Sequence, residues 1–292
     1  MKDFKINALE RFIIRNHTAI RRILYVVFLV LIIIIVPITV DRDIPFPAVF
    51  GAAMLLVIPV VFIDMLATFK FLKIEREVNE SLDLQTALDR SEKMLAVFKP
   101  TQLDYIGTAT LLKATALYDM GRHGEAKDCI HNFLDACDVK KAPYSQMAQN
   151  HTLLAIMALC DYDFREFEFQ KSRIERCMSD SSKSSKMVFE RNNIIGELDF
   201  DYALYSAEEY DEALEVKAIM RPETKNGKTV PENKRSKLSY VSAYSMLFEY
   251  FKRLNMQEKA HYYARKLQRL ANGQFECYRE AKEYLDNENI VD

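Results

Sequence analysis

Two long apolar runs near the N-terminus constrain this chain more than any other feature. Ile23 to Val40 reads ILYVVFLVLIIIIVPITV and Ile44 to Ile63 reads IPFPAVFGAAMLLVIPVVFI, and neither holds a charge. A helix crosses about 30 Å of hydrocarbon with roughly 20 such residues. A core helix of a soluble domain keeps a polar face, and Val26 to Val36 has none. A cleaved leader has a shorter apolar stretch ending in small residues. Here the run ends in Thr39-Val40-Asp41, and a second run follows. Only Asp41-Arg42-Asp43 separates the two. The expectation is a two-helix transmembrane hairpin over 23–69, with spans at about 23–40 and 44–66.

Charge sets the orientation. Lys2, Lys5, Arg11, Arg15, Arg21 and Arg22 precede the first run, and Lys70, Lys73 and Arg76 follow the second. Basic flanks are retained on the cytoplasmic side, so both termini and everything beyond the hairpin are expected there. For residues 1–22 two readings stay open: an interfacial helix with arginines on anionic headgroups, or a basic tail without defined structure. Pro37 and Pro59 each remove a backbone donor within a span. Ala48, Gly51, Ala52 and Ala53 offer small side chains for close helix approach, so a homo-oligomer through the hairpin is possible. Asp64, close to Lys70, reads as interfacial. Neither span carries the ionisable groups of a transport path or an intramembrane protease.

About 220 residues remain after the hairpin, enough for a packed core. Their few glycines and prolines point to long helices, hence an all-α fold. The formal net charge of −2 gives no bias toward nucleic acid. Cys129, Cys137, Cys160, Cys177 and Cys277 form an odd set without a C-x-x-C pair, expected to be reduced and mostly buried. Residues 70–99 read as a helical stalk, with Leu84, Leu88, Leu95 and Phe98 at helical spacing and a break allowed at Asn79-Glu80-Ser81.

Residues 100–292 carry an internal repetition. Residues 116–128, ALYDMGRHGEAKD, align without gaps on 203–215, ALYSAEEYDEALE. Segment 250–262, YFKRLNMQEKAHY, places Ala260 at the position of Ala126 and Ala213, and 157–169, MALCDYDFREFEF, places Phe167 there. Each segment reads as a helix ending, a turn, and a second helix whose small residue faces the first. Gly121 supplies the left-handed turn, with Asn255 at the matching place. One such pair cannot bury its apolar stripe alone, so pairs stack.

Ala114, Leu117-Tyr118, Gly121 and Glu125-Ala126, with their counterparts around Ala213 and Ala260, resemble the tetratricopeptide repeat family. The resemblance covers residues 101–287. It implies an α-solenoid of antiparallel helix pairs, packed through Ala114, Gly121, Ala126, Ala213 and Ala260, that binds a protein or peptide. The spacing departs from the family's period, since Ala126 to Ala213 is two units and Ala213 to Ala260 is longer than one. Inner-helix positions Tyr105, Lys113, Gln146, Tyr202 and Tyr240 are the candidate partner-binding residues. The Ser-rich 179–185 and the basic 222–237 read as solvated loops, with Ser184 or Ser185 as a helix cap. The helix at 274–287 is expected to cap the open end of the stack.

No phosphate-binding Gly-rich loop, H-E-x-x-H or G-x-S-x-G occurs. Cys129 and His131 lie two apart, on different faces of a helix, so no metal site is expected. No enzyme, cofactor or metal is therefore expected. The expectation is a scaffold or adaptor anchored in a membrane, with the lipid bilayer and a protein partner as its contacts. The lysine-, isoleucine- and asparagine-containing composition and the lack of an organelle-targeting signal favour a bacterial inner membrane. The alternative is a non-catalytic subunit of a membrane secretion, transport or envelope-assembly complex, with the hairpin making the main contacts.

Overall fold

The computed structural model describes residues 6–41, 58, 61, 62, 65, 66, 68–137, 143–180, 185–221, 224, 225, 228, 229 and 235–287. The chain forms two compact units, Met1–Lys73 with Lys93–Thr101, and Ile74–Glu92 with Gln102–Asp292. Among the described residues, regular structure is helical apart from one pair of two-residue antiparallel strands.

In the first unit, helix α1 runs from Ala8 to Asp41. It starts with a reciprocal cap: the Glu10 N–H donates to Asn7 Oδ1 (2.8 Å) and the Asn7 N–H to Glu10 Oε2 (3.0 Å), which satisfies two of the free donors of a helix start. Residues 8–22 are therefore helical and continuous with the first apolar run. Ile14 is buried, Phe71 stacks on Phe98, and Lys70 pairs with Glu10 at 3.0 Å. Burial raises the Glu10 pKa, but the Lys70 ammonium and the Asn7 amide outweigh it and hold the carboxyl below its usual range.

Among the described residues, no helix is long and apolar enough to cross a membrane. The first apolar run falls in α1, where the side chains of 28, 31, 32 and 35–41 lie outside the described residues; most of the second, at 44–66, lies outside them too. The small residues at 48–53 and the prolines at 37 and 59 share that position. Apart from half-buried Leu24, the described side chains of the two runs, among them Val26, Leu29, Ile33, Ile58 and Phe62, are exposed.

A helical stretch at 68–76 passes into a π turn at Glu77–Ser81. It ends at Leu82, which adopts a left-handed φ of 54°. Asp83 then caps helix α2 (Leu84–Leu95): its carboxylate accepts from the Thr86 N–H at 3.1 Å and the Thr86 hydroxyl at 2.7 Å. The break expected at 79–81 thus falls just after it, with Asp as the cap rather than Asn or Ser. Ile74, Leu84 and Ala87 are fully buried, and Arg90 pairs with Glu77 at 2.6 Å. Residues 74–92 accordingly share the core of the second unit.

That unit continues with α3 (Leu103–Asp119), α4 (His123–Ala136), α5 (Tyr144–Cys160), α6 (Phe164–Asp180), α7 (Ser185–Ser206) and α8 (Glu212–Met220). After strands β1 (Thr224–Lys225) and β2 (Lys228–Thr229) come α9 (Lys237–Arg253), α10 (Gln257–Leu270) and α11 (Glu276–Asn287). Within the segment 222–237, read from sequence as a loop, Thr224 pairs with Thr229 and Lys225 with Lys228; most of the rest lies outside the described residues.

Helices α3–α4, α5–α6 and α9–α10 pack as consecutive pairs, and α3, α5 and α7 pack side by side. Their junctions share one backbone pattern. The N–H of Arg122 bonds to the carbonyl of Leu117 (2.9 Å), that of Asp163 to Ala158 (2.8 Å) and that of Met256 to Phe251 (3.0 Å). The residue before each donor is left-handed: Gly121 at φ 78°, Tyr162 at 54° and Asn255 at 54°. The next helix then starts with Ala126, Phe167 or Ala260 bonding back to the donor residue, each at 3.0 Å. All three are fully buried, as is Ala114. Gly107 lies where α3 and α5 come closest; a Cβ there would stand 2.6 Å from Gln146 Cβ and from Phe133 Cζ.

The third junction differs. None of residues 206–211 is left-handed. Instead Arg253 spans the end of α7, donating to the carbonyls of Tyr205, Leu204 (2.7 Å) and Ala207 (2.9 Å). Asp211 caps α8 by accepting from the Ala213 N–H at 2.8 Å, and α8 packs on α9. Ala213 is exposed at the start of α8, a correction to its expected inner-face position, and Ala218 is the buried small residue of that helix. Glu215 of α8 accepts from Lys259 at 2.5 Å and from the Tyr263 hydroxyl at 2.7 Å, both on α10, while α8 packs on α9, and this placement buries Ala218 rather than Ala213.

The last helix does not cap an open end. Arg279 of α11 donates to the carbonyl of Met120 (2.8 Å), Glu276 lies 2.7 Å from His123, and Asn272 donates to the carbonyl of Leu82 (2.7 Å). The final helix of the series thus returns to the first turn and to the start of α2.

Candidate functional site

A partly open cavity of about 530 Å³ lies among the helix ends of this unit. The C-terminal parts of α3, α5 and α7 supply Tyr118, Asp119, Cys160, Asp201 and Tyr205. The end of α8, the residues before α9, α9 itself and the start of α11 supply Arg221, Arg235, Glu249, Glu276, Cys277 and Glu280. The C-terminal turns of α3, α5 and α7 meet there, whereas α9 contributes residues of its N-terminal and middle turns, from Leu238 to Glu249.

Three helices are tied across the wall by one sulfur. The Cys160 thiol lies 2.9 Å from the Tyr118 hydroxyl and 3.2 Å from that of Tyr205. Tyr118 and Tyr205 are aligned residues of the segments 116–128 and 203–215, and the Cys160 thiol lies between their hydroxyls. Burial raises both phenols well above their usual range, and neighbouring Cys160 adds to it. Burial also raises Cys160 and pushes Cys277 up to about 12. Both thiols are therefore protonated at neutral pH, and neither is a ready nucleophile.

The wall is acidic. Seven carboxylates stand against two guanidiniums and His123. Arg221 is occupied by Asp201 at 2.5 Å and Glu197 at 3.4 Å. Burial nonetheless leaves the Asp201 pKa raised, despite the opposing pull of Arg221. Arg235 donates to the carbonyls of Ile219 (3.1 Å) and Met220 (3.0 Å). His123 and Glu276 are in contact without hydrogen-bond geometry at Nε2. Asp119 Oδ2 is buried and accepts no hydrogen bond, and burial alone raises the Asp119 pKa to about 7. Burial also raises Glu280, reinforced by Glu249 and Glu276.

The candidates read from sequence are dispersed. Tyr240 lines the cavity. Lys113 pairs with Glu92 of α2 at 2.9 Å. Gln146 sits at the close approach of α3 and α5. Tyr202 stacks on Phe167 with centroids 5.3 Å apart. Tyr105 is half-buried early on α3. Four of the five lie away from the cavity. Asp119, Cys160 and Cys277 were missed; the recurrence of Tyr118 at Tyr205 was the available signal. All five cysteines are free, with Cys177 buried and the others half-buried, so burial is less general than expected. Among the described residues, no three His, Cys, Asp or Glu side chains converge on a metal position.

No protein-family model matches this chain, and neither the curated proteins nor the solved structures include a match.

Proposed function

We propose that this protein is a membrane-anchored adaptor whose cytoplasmic, tetratricopeptide-like helical unit binds a protein partner. The observation that carries this reading is the recurrence of one helix–turn–helix junction at Gly121, Tyr162 and Asn255, with Tyr118, Asp119, Cys160 and Tyr162 from beside the first two on the cavity wall. Repeated hairpins whose first helices face one space form a recognition surface. The cavity's thiols are held protonated, and its carboxylates are either paired or buried, an arrangement suited to holding a group rather than to nucleophilic attack.

The anchoring half of the reading rests on exposure. Val26 is 61 % and Ile33 64 % exposed, within a run that has no charge over 18 residues. Apolar surface of that extent calls for lipid or another apolar partner. The basic flanks put the helical unit on the cytoplasmic side, and tethering raises the effective concentration for a membrane-bound partner.

The same exposed face supports a second reading, in which the hairpin itself packs against other membrane helices of a larger complex. Replacing residues 1–69 with an unrelated two-span anchor separates the two. The adaptor reading expects the crosslinked partners to be retained. Loss of all of them, with the helical unit still folded, overturns it in favour of the complex.

A further inference from the structure

We propose that the cavity binds a ligand carrying a protonated aliphatic amine, whose ammonium is received by Asp119 at the end of α3. The first observation is geometric: Asp119 Oδ2 lies buried in the cavity wall with no hydrogen-bond partner. A buried charged or polar oxygen without a partner is costly, and a cation there restores the lost interaction. The second is the charge around it. From α9 comes Glu249 and from α11 come Glu276 and Glu280, all on the same wall. His123, at the start of α4, faces Glu276, and Lys252 bonds Glu249 at 3.1 Å. The wall also carries Tyr118, Cys160, Tyr205 and Cys277, all neutral at pH 7 because burial raises them, together with Asp161 paired to Lys127 and with Asp201 and Glu197 paired to Arg221.

The cavity's guanidiniums already have partners. Arg221 serves Asp201 and Glu197, Lys127 pairs with Asp161 and Lys252 with Glu249. Two nitrogens of Arg235 serve backbone carbonyls, while its Nε makes no hydrogen bond. Asp119 and Glu280 are the cavity carboxylates outside these pairs and the His123–Glu276 contact. Because no three metal-ligating side chains converge among the described residues, an organic cation fits the site better than a divalent ion. Ile156, Leu159, Phe200 and Met246 form apolar wall for an alkyl chain. A volume of about 530 Å³ falls within the span of small-ligand pockets. The ammonium has two possible sources, a free amine or a lysine side chain of the partner. The first is independent of the adaptor reading, and the second deepens it.

The test uses the full chain in detergent, titrated with 1,5-diaminopentane, with 1,5-pentanediol as its uncharged analogue, and with an acetylated peptide containing one lysine. Binding heat and the unfolding midpoint are read. The expected result is saturable binding of diamine or peptide and none of the diol. Diamine binding assigns a free amine; peptide binding alone assigns a partner's lysine. Between pH 8 and 6 the affinity falls by roughly tenfold, as Asp119, with its pKa near 7, takes up a proton. Asp119→Asn weakens binding at least ~10-fold. If that variant does not fold, the pH profile of the native chain decides. The proposal is overturned if the diol binds as well as the diamine, if affinity is unchanged in Asp119→Asn, or if neither cation binds up to about 10 mM at pH 8. A missing protein partner leaves the diamine arm unaffected, so failure of the adaptor reading is distinguishable.

Discussion

Asp119 and Gly107 show how one residue's worth depends on what surrounds it. The Asp119 carboxyl has its folded pKa raised to about 7 from its usual 3.8, by burial alone. The folded state therefore holds its proton more tightly than the unfolded chain. Its contribution to stability is full below pH 4, is lost as pH rises toward 7, and stays lost above. Asp119→Asn removes that penalty. Denaturant unfolding at pH 8 should show the variant more stable by up to about 4 kcal/mol, with the gap closing toward pH 4. At Gly107, a methyl would meet Gln146 Cβ and Phe133 Cζ, each at 2.6 Å. Neither contact is a flexible tip free to swing away from α3. Gly107→Ala should therefore destabilise by ~1–3 kcal/mol in the same measurement.

For the elements, the junctions are the unit of explanation. Gly121 is held at φ 78°, and a Cβ there would lie 2.7 Å from Glu276 Oε1 of α11. The Glu276 carboxylate is a flexible tip that can shift, so Gly121→Ala meets mainly left-handed strain and should cost about 1–2 kcal/mol. Asn255 has the same backbone role at φ 54°, so Asn255→Gly should leave stability within about 1 kcal/mol of the native chain. A larger loss there would mean that the side chain, rather than the backbone, holds the turn. At the third junction, Arg253 replaces the left-handed residue by donating to three carbonyls at the end of α7. Arg253→Ala leaves those acceptors unpaired and should destabilise by ~2–4 kcal/mol, read as a lower unfolding midpoint.

At the scale of the whole molecule, anchoring and core membership give the sharpest expectations. The full chain should sediment with membranes and enter solution only with detergent; recovery in the soluble fraction would remove the anchor. Residues 74–92 contribute Ile74, Val78, Leu84, Ala87 and Leu88 to the buried core of the helical unit. A chain begun at residue 102 loses all five. It should be less stable than one begun at residue 74 by on the order of 5 kcal/mol, or fail to fold. Equal stability of the two would show residues 74–92 to be a detachable stalk.

The sequence by itself determined what is local. Helical periodicity, scarce glycine and proline, and the aligned segments 116–128, 157–169 and 250–262 point to helices and to the turns at Gly121 and Asn255, because capping is settled within a few residues. Segment 203–215, aligned on 116–128 without gaps, instead has no left-handed turn and leaves Ala213 exposed. Tyr162 escaped notice because its left-handed φ is imposed by the helices on either side, against its own preference. The strand pair at 224–229 was legible in the Asn226-Gly227 dipeptide, a hairpin-turn signal passed over within a polar stretch. What only tertiary structure decided is long-range: the return of α11 to the turn at Gly121, the packing of α8 on α9, and the cavity that collects Asp119, Cys160 and Glu280. Those groups lie tens of residues apart, and no spacing rule connects them. Their meeting depends on how helices far apart in sequence pack on one another, which no single segment encodes.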